Sequence, residues 1–174
     1  MALVVLLRGV NVGGHRTFRP AALASELDHL GVVNIGAAGT FVVREKITRT
    51  RLRAELARRL PFSTDIMMCD GREVASLLSR DDFAGEPVSR DVVRFASLLA
   101  RRPRGGPGLP VAFPPEGRWE LQLVAREGRF LVGRYRRQMK AIGWLGKIDL
   151  VFGVPATTRN WNTINAIARV LEGG

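Results

Sequence analysis

A single cysteine, Cys69, leaves the chain unable to close an internal disulfide, and a lone thiol fits a reducing compartment. Histidine is nearly as scarce, with only His15 and His29. There is no H-E-x-x-H or C-x-x-C spacing, so no metal site is expected, and no cofactor. Long apolar runs are also missing. None approaches the ~20 residues of a membrane-spanning helix. The start, Met1-Ala2-Leu3, has neither a basic n-region nor a small-residue cleavage site, so it does not read as a signal peptide. A cytoplasmic protein with no membrane partner is the expectation. Negative charge is short as well: 16 acidic residues face 27 basic ones over 174 residues, a net charge of +11 and a pI near 11.4. A pI above ~9 is one footprint of nucleic-acid binding. Yet the only lysines are Lys46, Lys140 and Lys147. An excess of arginine beside abundant Ala, Gly, Val and Pro is also what a GC-rich genome produces, whatever its product binds.

What is present begins with Leu3-Val4-Val5-Leu6-Leu7, a continuous apolar run of strand length. Bounded by turn signals, such a run reads as a strand buried on both faces at the centre of a sheet. Arg8 stands where it emerges, followed by a turn punctuated by Gly9, Gly13 and Gly14. Pro20 suits the first position of a helix and Gly31 the residue past its end, with Leu23, Leu27 and Leu30 forming one apolar stripe. Val32–Ile35 and Phe41–Val43 read as short strands. A second helix is predicted from about Thr48 to Leu60, stopped by Pro61, and Ile66–Cys69 as a further strand. Asp70 and Glu73 have capping-box spacing ahead of Val74, Leu77 and Leu78. The order β-α-β-β-α-β is that of the ferredoxin-like plait.

Val92–Leu99 predicts a strand that begins a second unit. The expected division is a ferredoxin-like unit over 1–90 and an α+β unit over 91–174. Two similar α/β-sandwich units with mostly antiparallel sheets are expected. Arg101–Gly117, with five prolines and four glycines, is predicted to be irregular throughout. Trp119–Ala125 and Phe130–Tyr135 flank Arg126-Glu127-Gly128-Arg129 as a hairpin. A helix is predicted around Leu145–Phe152. A last helix is predicted from near Thr157 or Thr158 to Leu171.

No catalytic set emerges. Cys69 ends an apolar strand and reads as core. The G-x-S-x-G elbow is absent. Gly9–Gly14 is neither a Walker A loop nor a dinucleotide fingerprint, and Asp81-Asp82 reads as solvated surface. His15, beside Gly13-Gly14, is a candidate for a site. His29 reads as a favourable helix C-terminal residue.

An anion site is the reading that survives. Arg8 beside a Gly-rich turn can form a nest for phosphate or carboxylate. Thr157 and Thr158 precede a predicted helix N-terminus, with Arg159 and Asn160 in its first turn. Arg8, Asn11, Gly13, Gly14, Thr158, Arg159 and Asn160 are the candidate ligand residues, lining one cleft if the fold brings both motifs together. The plain alternative is that Thr158 is an ordinary cap, Trp161 a core anchor and the glycines packing devices. A second basic feature is Arg134-Tyr135-Arg136-Arg137-Gln138-Met139-Lys140. Here Arg134, Arg136, Arg137 and Lys140 can follow a phosphate backbone while Tyr135 or Trp144 stacks a base. Its alternative is a solvated strand end and loop.

Leu6-Leu7-Arg8-Gly9-Val10-Asn11-Val12-Gly13-Gly14 and Ala156-Thr157-Thr158-Arg159-Asn160-Trp161-Asn162-Thr163 resemble the two signature motifs of the bacterial domain-of-unknown-function family 1697. Their order fits, so the resemblance spans the chain. It implies a ferredoxin-like α+β architecture and brings no established activity. Where family members usually carry Ser-Gly-Asn after the second strand, this sequence has Ala38-Gly39-Thr40; if those side chains serve a family site, that part of it is weakened here. The expected function is a binding module for an anionic ligand: a nucleotide, a phosphorylated metabolite or a nucleic acid. The alternatives are an enzyme with an anionic substrate and a basic scaffold that self-associates through a sheet edge.

Overall fold

Leu3–Leu7 forms β1, and all five of its residues are buried. The computed structural model describes every residue from Met1 to Gly174. It has two units, Met1–Ala75 with Asn165–Gly174, and Ser76–Ile164. Each is built on an antiparallel sheet, one of four strands and one of five, so the protein is α+β.

In the first unit β1 is followed by α1 (Pro20–Glu26), a 3-10 turn (Asp28–Leu30), β2 (Val32–Asn34), β3 (Thr40–Val43), α2 (Arg49–Arg59) and β4 (Ile66–Asp70). The sheet order is β2-β3-β1-β4, that of the split βαβ plait. Val5 is opposite Phe41 on one side and Met68 on the other. Leu3, Val5 and Leu7 pack with Leu23, Leu27, Leu52 and Leu56 in a single core, as the helical spacing predicts. Helix α1 ends earlier than predicted. The chain tightens into the 3-10 turn that carries His29, and Gly31 closes it at φ 59°. Thr48 caps α2 by accepting from the Arg51 N–H at 3.2 Å. The capping-box pair is half realised before α3 (Gly71–Ser79). Glu73 Oε2 accepts from the Asp70 N–H at 2.8 Å, while the Asp70 carboxylate lies 3.1 Å from Arg49.

The second unit carries β5 (Val92–Leu99), β6 (Val111–Phe113), β7 (Leu121–Glu127), β8 (Phe130–Arg136), α4 (Met139–Leu145), α5 (Ile148–Phe152) and β9 (Ala156–Asn160). Helix α6 (Trp161–Glu172) follows. Its sheet runs β6-β7-β8-β5-β9. With β6 set aside, β7-β8-β5-β9 repeats the order of the first sheet. The α4–α5 pair takes the chain place of α2. Residues 100–110 take that of α1, where Pro103, Pro107 and Pro110 exclude a helix. Phe95 is opposite Gly133, and a Cβ on Gly133 would stand 2.6 Å from the Phe95 ring. Glycine is what lets that ring lie flat against β8.

Three expectations are corrected. Residues 101–117 are not wholly irregular, because β6 pairs Val111 with Leu123 and Phe113 with Leu121; Pro110 and Pro114 flank it, as suits an edge strand. The predicted Leu145–Phe152 helix is two helices, broken at Gly146-Lys147. The last helix starts at Trp161, not at Thr157 or Thr158. Ala156–Asn160 is drawn into the sheet as β9, with Thr158 opposite Ser97 and Arg159 opposite Ala96. No helix is long and apolar enough to cross a membrane.

Candidate functional site

At the end of β1 the Leu7 N–H donates to the Gly39 carbonyl at 2.8 Å and the Arg8 N–H to the Asp65 carbonyl at 3.1 Å. Arg8 Nη1 lies 3.2 Å from the Asp65 carboxylate, both side chains partly exposed, so its charge already has a counter-ion. Beyond it the chain makes a small hairpin. The Asn11 N–H donates to Arg16 O at 3.1 Å and the His15 N–H to Val12 O at 3.0 Å. Gly13 and Gly14, at φ 57° and 76°, are the central pair of a primed hairpin turn, which demands positive φ at both. Asn11 (φ 52°) and Arg16 (φ 49°) are also left-handed, a conformation that asparagine tolerates and arginine adopts at a cost of about 1 kcal/mol or more.

Asn11, expected as a ligand residue, clamps the hairpin root. Its Nδ2 donates to Ala37 O at 2.8 Å, and its Oδ1 accepts from the Phe18 N–H at 2.9 Å. In the neighbouring turn, Ala38-Gly39-Thr40, Gly39 is required by packing, since a Cβ there would approach Val10 to 2.8 Å and Leu7 to 2.9 Å. Phe18 meets Phe62 edge-on at 5.8 Å, and the Thr64 hydroxyl donates to Arg8 O at 2.5 Å. Phe62 and Thr64 also line a groove of about 330 Å³ with Leu60 and Ser63, so the hairpin root borders a concave surface.

Two cations on this hairpin were missed by the sequence reading, Arg16 and Arg19. Both are exposed, and neither guanidinium forms a hydrogen bond or ion pair with the protein. The Arg16 guanidinium lies 4.0 Å from where a Cβ would stand on Gly9. With Arg8 and exposed His15 they give the segment three arginines and a histidine, and no acidic residue precedes Glu26.

The other motif belongs to the second unit and is built differently from the expectation. Because Thr158 lies in β9, it is not a helix cap; its hydroxyl meets that of Ser97 at 2.6 Å. Arg159 is 7% exposed and donates from Nη1 to Thr157 Oγ1 and to Thr158 O, each at 2.9 Å. Burial pushes its pKa down to about 10, and the guanidinium remains charged at neutral pH. The capping role falls to Asn160, whose Oδ1 accepts from the Thr163 N–H at 2.9 Å. The predicted anion site at a helix N-terminus over Thr158 and Arg159 is therefore a strand whose side chains tie it to β5 and to itself. Arg8, Asn11, Gly13 and Gly14 come together on one hairpin.

The basic segment 134–140 is likewise engaged. Arg134 donates from Nε to Gln122 at 2.7 Å and pairs with Glu86. Arg136 donates to Trp119 O at 2.7 Å and lies 4.0 Å over the Trp119 ring; burial, then Arg118 and Arg134, lowers its pKa. Tyr135 packs against Phe95 at 5.8 Å. Trp144 meets Phe113 at 5.4 Å and Lys147 at 4.7 Å. Arg137 donates to Arg90 O at 3.1 Å, and Lys140 is exposed. The two aromatic rings expected to stack a base already stack within the unit. No group of three or more His, Cys, Asp or Glu residues is placed to hold a metal ion.

Residues 1–104 match the model of a family described as protein of unknown function (DUF1697). No curated protein matches the chain. Among solved structures, the conserved bacterial protein SP0830 from Streptococcus pneumoniae is 16% identical, with a TM-score of 0.58 over 98% of each chain. At that identity the likeness is one of fold.

Proposed function

The chain belongs to the DUF1697 family of proteins of unknown function, and we propose that it binds a small anionic ligand, a nucleotide or a phosphorylated metabolite, on the hairpin of residues 8–19. One observation carries the reading. Arg16 and Arg19 hold exposed guanidiniums without internal partners on an acid-free segment whose backbone is left-handed at Gly9, Asn11, Gly13, Gly14 and Arg16. Strained backbone persists where the surroundings over-determine it, which is common at ligand sites. Arginine gives bidentate recognition of phosphate or carboxylate, and exposed peptide groups of a glycine turn add donors. Arg8 orients the hairpin root through Asp65. Arg159, buried in β9, has a structural role in this reading. The lone buried thiol Cys69 fits a reducing, cytoplasmic setting.

The test is a thermal-shift panel of inorganic phosphate, nucleoside monophosphates and sugar phosphates at fixed ionic strength. A ligand that binds only the folded state raises the melting temperature with its concentration. At least one phosphate compound stabilises the wild type, and Arg16→Ala with Arg19→Ala removes the shift while leaving the ligand-free midpoint unchanged. A shift that survives in the double variant refutes the hairpin as the site.

A further inference from the structure

The Pro/Gly-rich segment after β5 closes over a second groove, independent of the hairpin. Its volume is about 360 Å³, and Arg104 and Arg126 both line it, with Pro103, Gly106, Leu109 and Phe152. That volume lies in the range of small-molecule sites, about 300–1,000 Å³. Gly106, at φ 122°, lies against Phe152 so closely that a Cβ would come within 2.6 Å of the ring. The loop is thus seated on the aromatic floor. Its flank is tied down by Arg101, which donates to Gly153 O at 3.4 Å. Arg129 donates to Leu99 O at 3.5 Å, where the segment leaves β5. Arg104 and Arg126 differ from these two. Both are exposed, and neither guanidinium forms a hydrogen bond or ion pair with the protein. No carboxylate lines the groove.

We propose that this groove is a second ligand site, for a small anion with two accepting oxygens: a phosphomonoester or a carboxylate. Two unpaired guanidiniums on one concavity match the two oxygens of such a headgroup. Phe152 is buried beneath Gly106 and Pro103 and Leu109 are half-buried, so the two guanidiniums are the groups the groove offers a ligand. The long segment then has a use beyond connecting β5 to β6, as structureless loops of this length commonly do.

The experiment is calorimetric titration at constant ionic strength with phenyl phosphate, inorganic phosphate and phenol as probes. It is run in an Arg16→Ala/Arg19→Ala background so that the hairpin contributes nothing. Phenyl phosphate binds there with one-to-one stoichiometry. Inorganic phosphate binds with similar affinity, because the two guanidiniums carry the contact. Phenol gives no measurable heat. Adding Arg104→Ala or Arg126→Ala weakens phenyl phosphate by about tenfold each, the loss expected for one charge-assisted hydrogen bond. Unchanged affinity in the Arg104→Ala/Arg126→Ala variant overturns the site. Phenol binding as tightly as phenyl phosphate overturns the anion reading. Binding lost in the background and present in the wild type places the ligand on the hairpin instead.

Discussion

At the scale of single residues, two positions show how tightly side-chain identity is set. Gly133 lies under the Phe95 ring, where a Cβ would stand at 2.6 Å and also meet Gln122 O. Gly133→Ala is expected to lower the free energy of unfolding by about 2 kcal/mol through overpacking, read as a fall in the urea midpoint at constant m. Arg159 is buried with its guanidinium hydrogen-bonded to Thr157 and Thr158. Arg159→Ala removes these bonds and empties a buried site, and costs about 2 kcal/mol, by the same measurement. Burial lowers its pKa to about 10, so the unfolded chain holds the proton longer as pH rises. That term makes stability increase with pH only above about 10, and it is flat near neutrality. Neither residue stands out from the sequence. Gly133 is one of 19 glycines and has no turn signal around it; its reason is a ring on the neighbouring strand. Arg16 was overlooked for a similar cause, since its left-handed φ and its lack of a partner are properties of a folded hairpin.

At the scale of elements, legibility follows how local the deciding interactions are. β1, the Leu23/Leu27 stripe, the start of α2 near Thr48 and Val92–Leu99 were readable because a few neighbouring residues settle them. β9 was not. Thr157-Thr158-Arg159-Asn160 satisfies a helix start as well as a strand, and the choice is made by pairing with β5, including the contact of Thr158 with Ser97 61 residues away. β6 was hidden by the prolines that flank it. Two elements make predictions. Asn11 ties the hairpin to the turn at Ala37, so Asn11→Ala costs about 1 kcal/mol and weakens phosphate-induced stabilisation without abolishing it, in the same thermal-shift assay. On α2, Glu55 accepts from Arg59, with Arg58 beside it, and these cations hold its carboxyl below the usual carboxylate range. A lowered carboxylate pKa contributes stability that is complete above the unfolded value and is lost as pH falls through the folded one. Glu55→Gln should therefore reduce the acid-side loss of stability below about pH 4.5, seen by comparing melting temperatures of the two proteins across pH 3–6.

At the scale of the molecule, the two sheets share one strand order, which element order suggests and the pairing establishes. The net charge of +11 is spread over arginines with different tasks. Arg134 and Arg136 are bound to Gln122, Glu86 and Trp119, whereas the guanidiniums of Arg16, Arg19, Arg104 and Arg126 have no partner. A long-range field of this sign attracts any polyanion. RNA retention is expected to fall steeply with salt between about 50 and 200 mM, and Arg134→Ala to lower stability more than it lowers that retention.

The central claim is that the hairpin after β1 holds a small anion. Its most direct measurement is a two-dimensional amide NMR titration with inorganic phosphate at fixed ionic strength. The glycine amides of Gly9, Gly13 and Gly14 should be followed in the wild type and in Arg16→Ala. Saturable movement of those three signals in the wild type and its loss in Arg16→Ala is the predicted result. Signals that stay still through the titration, or that move equally in the variant, would contradict it.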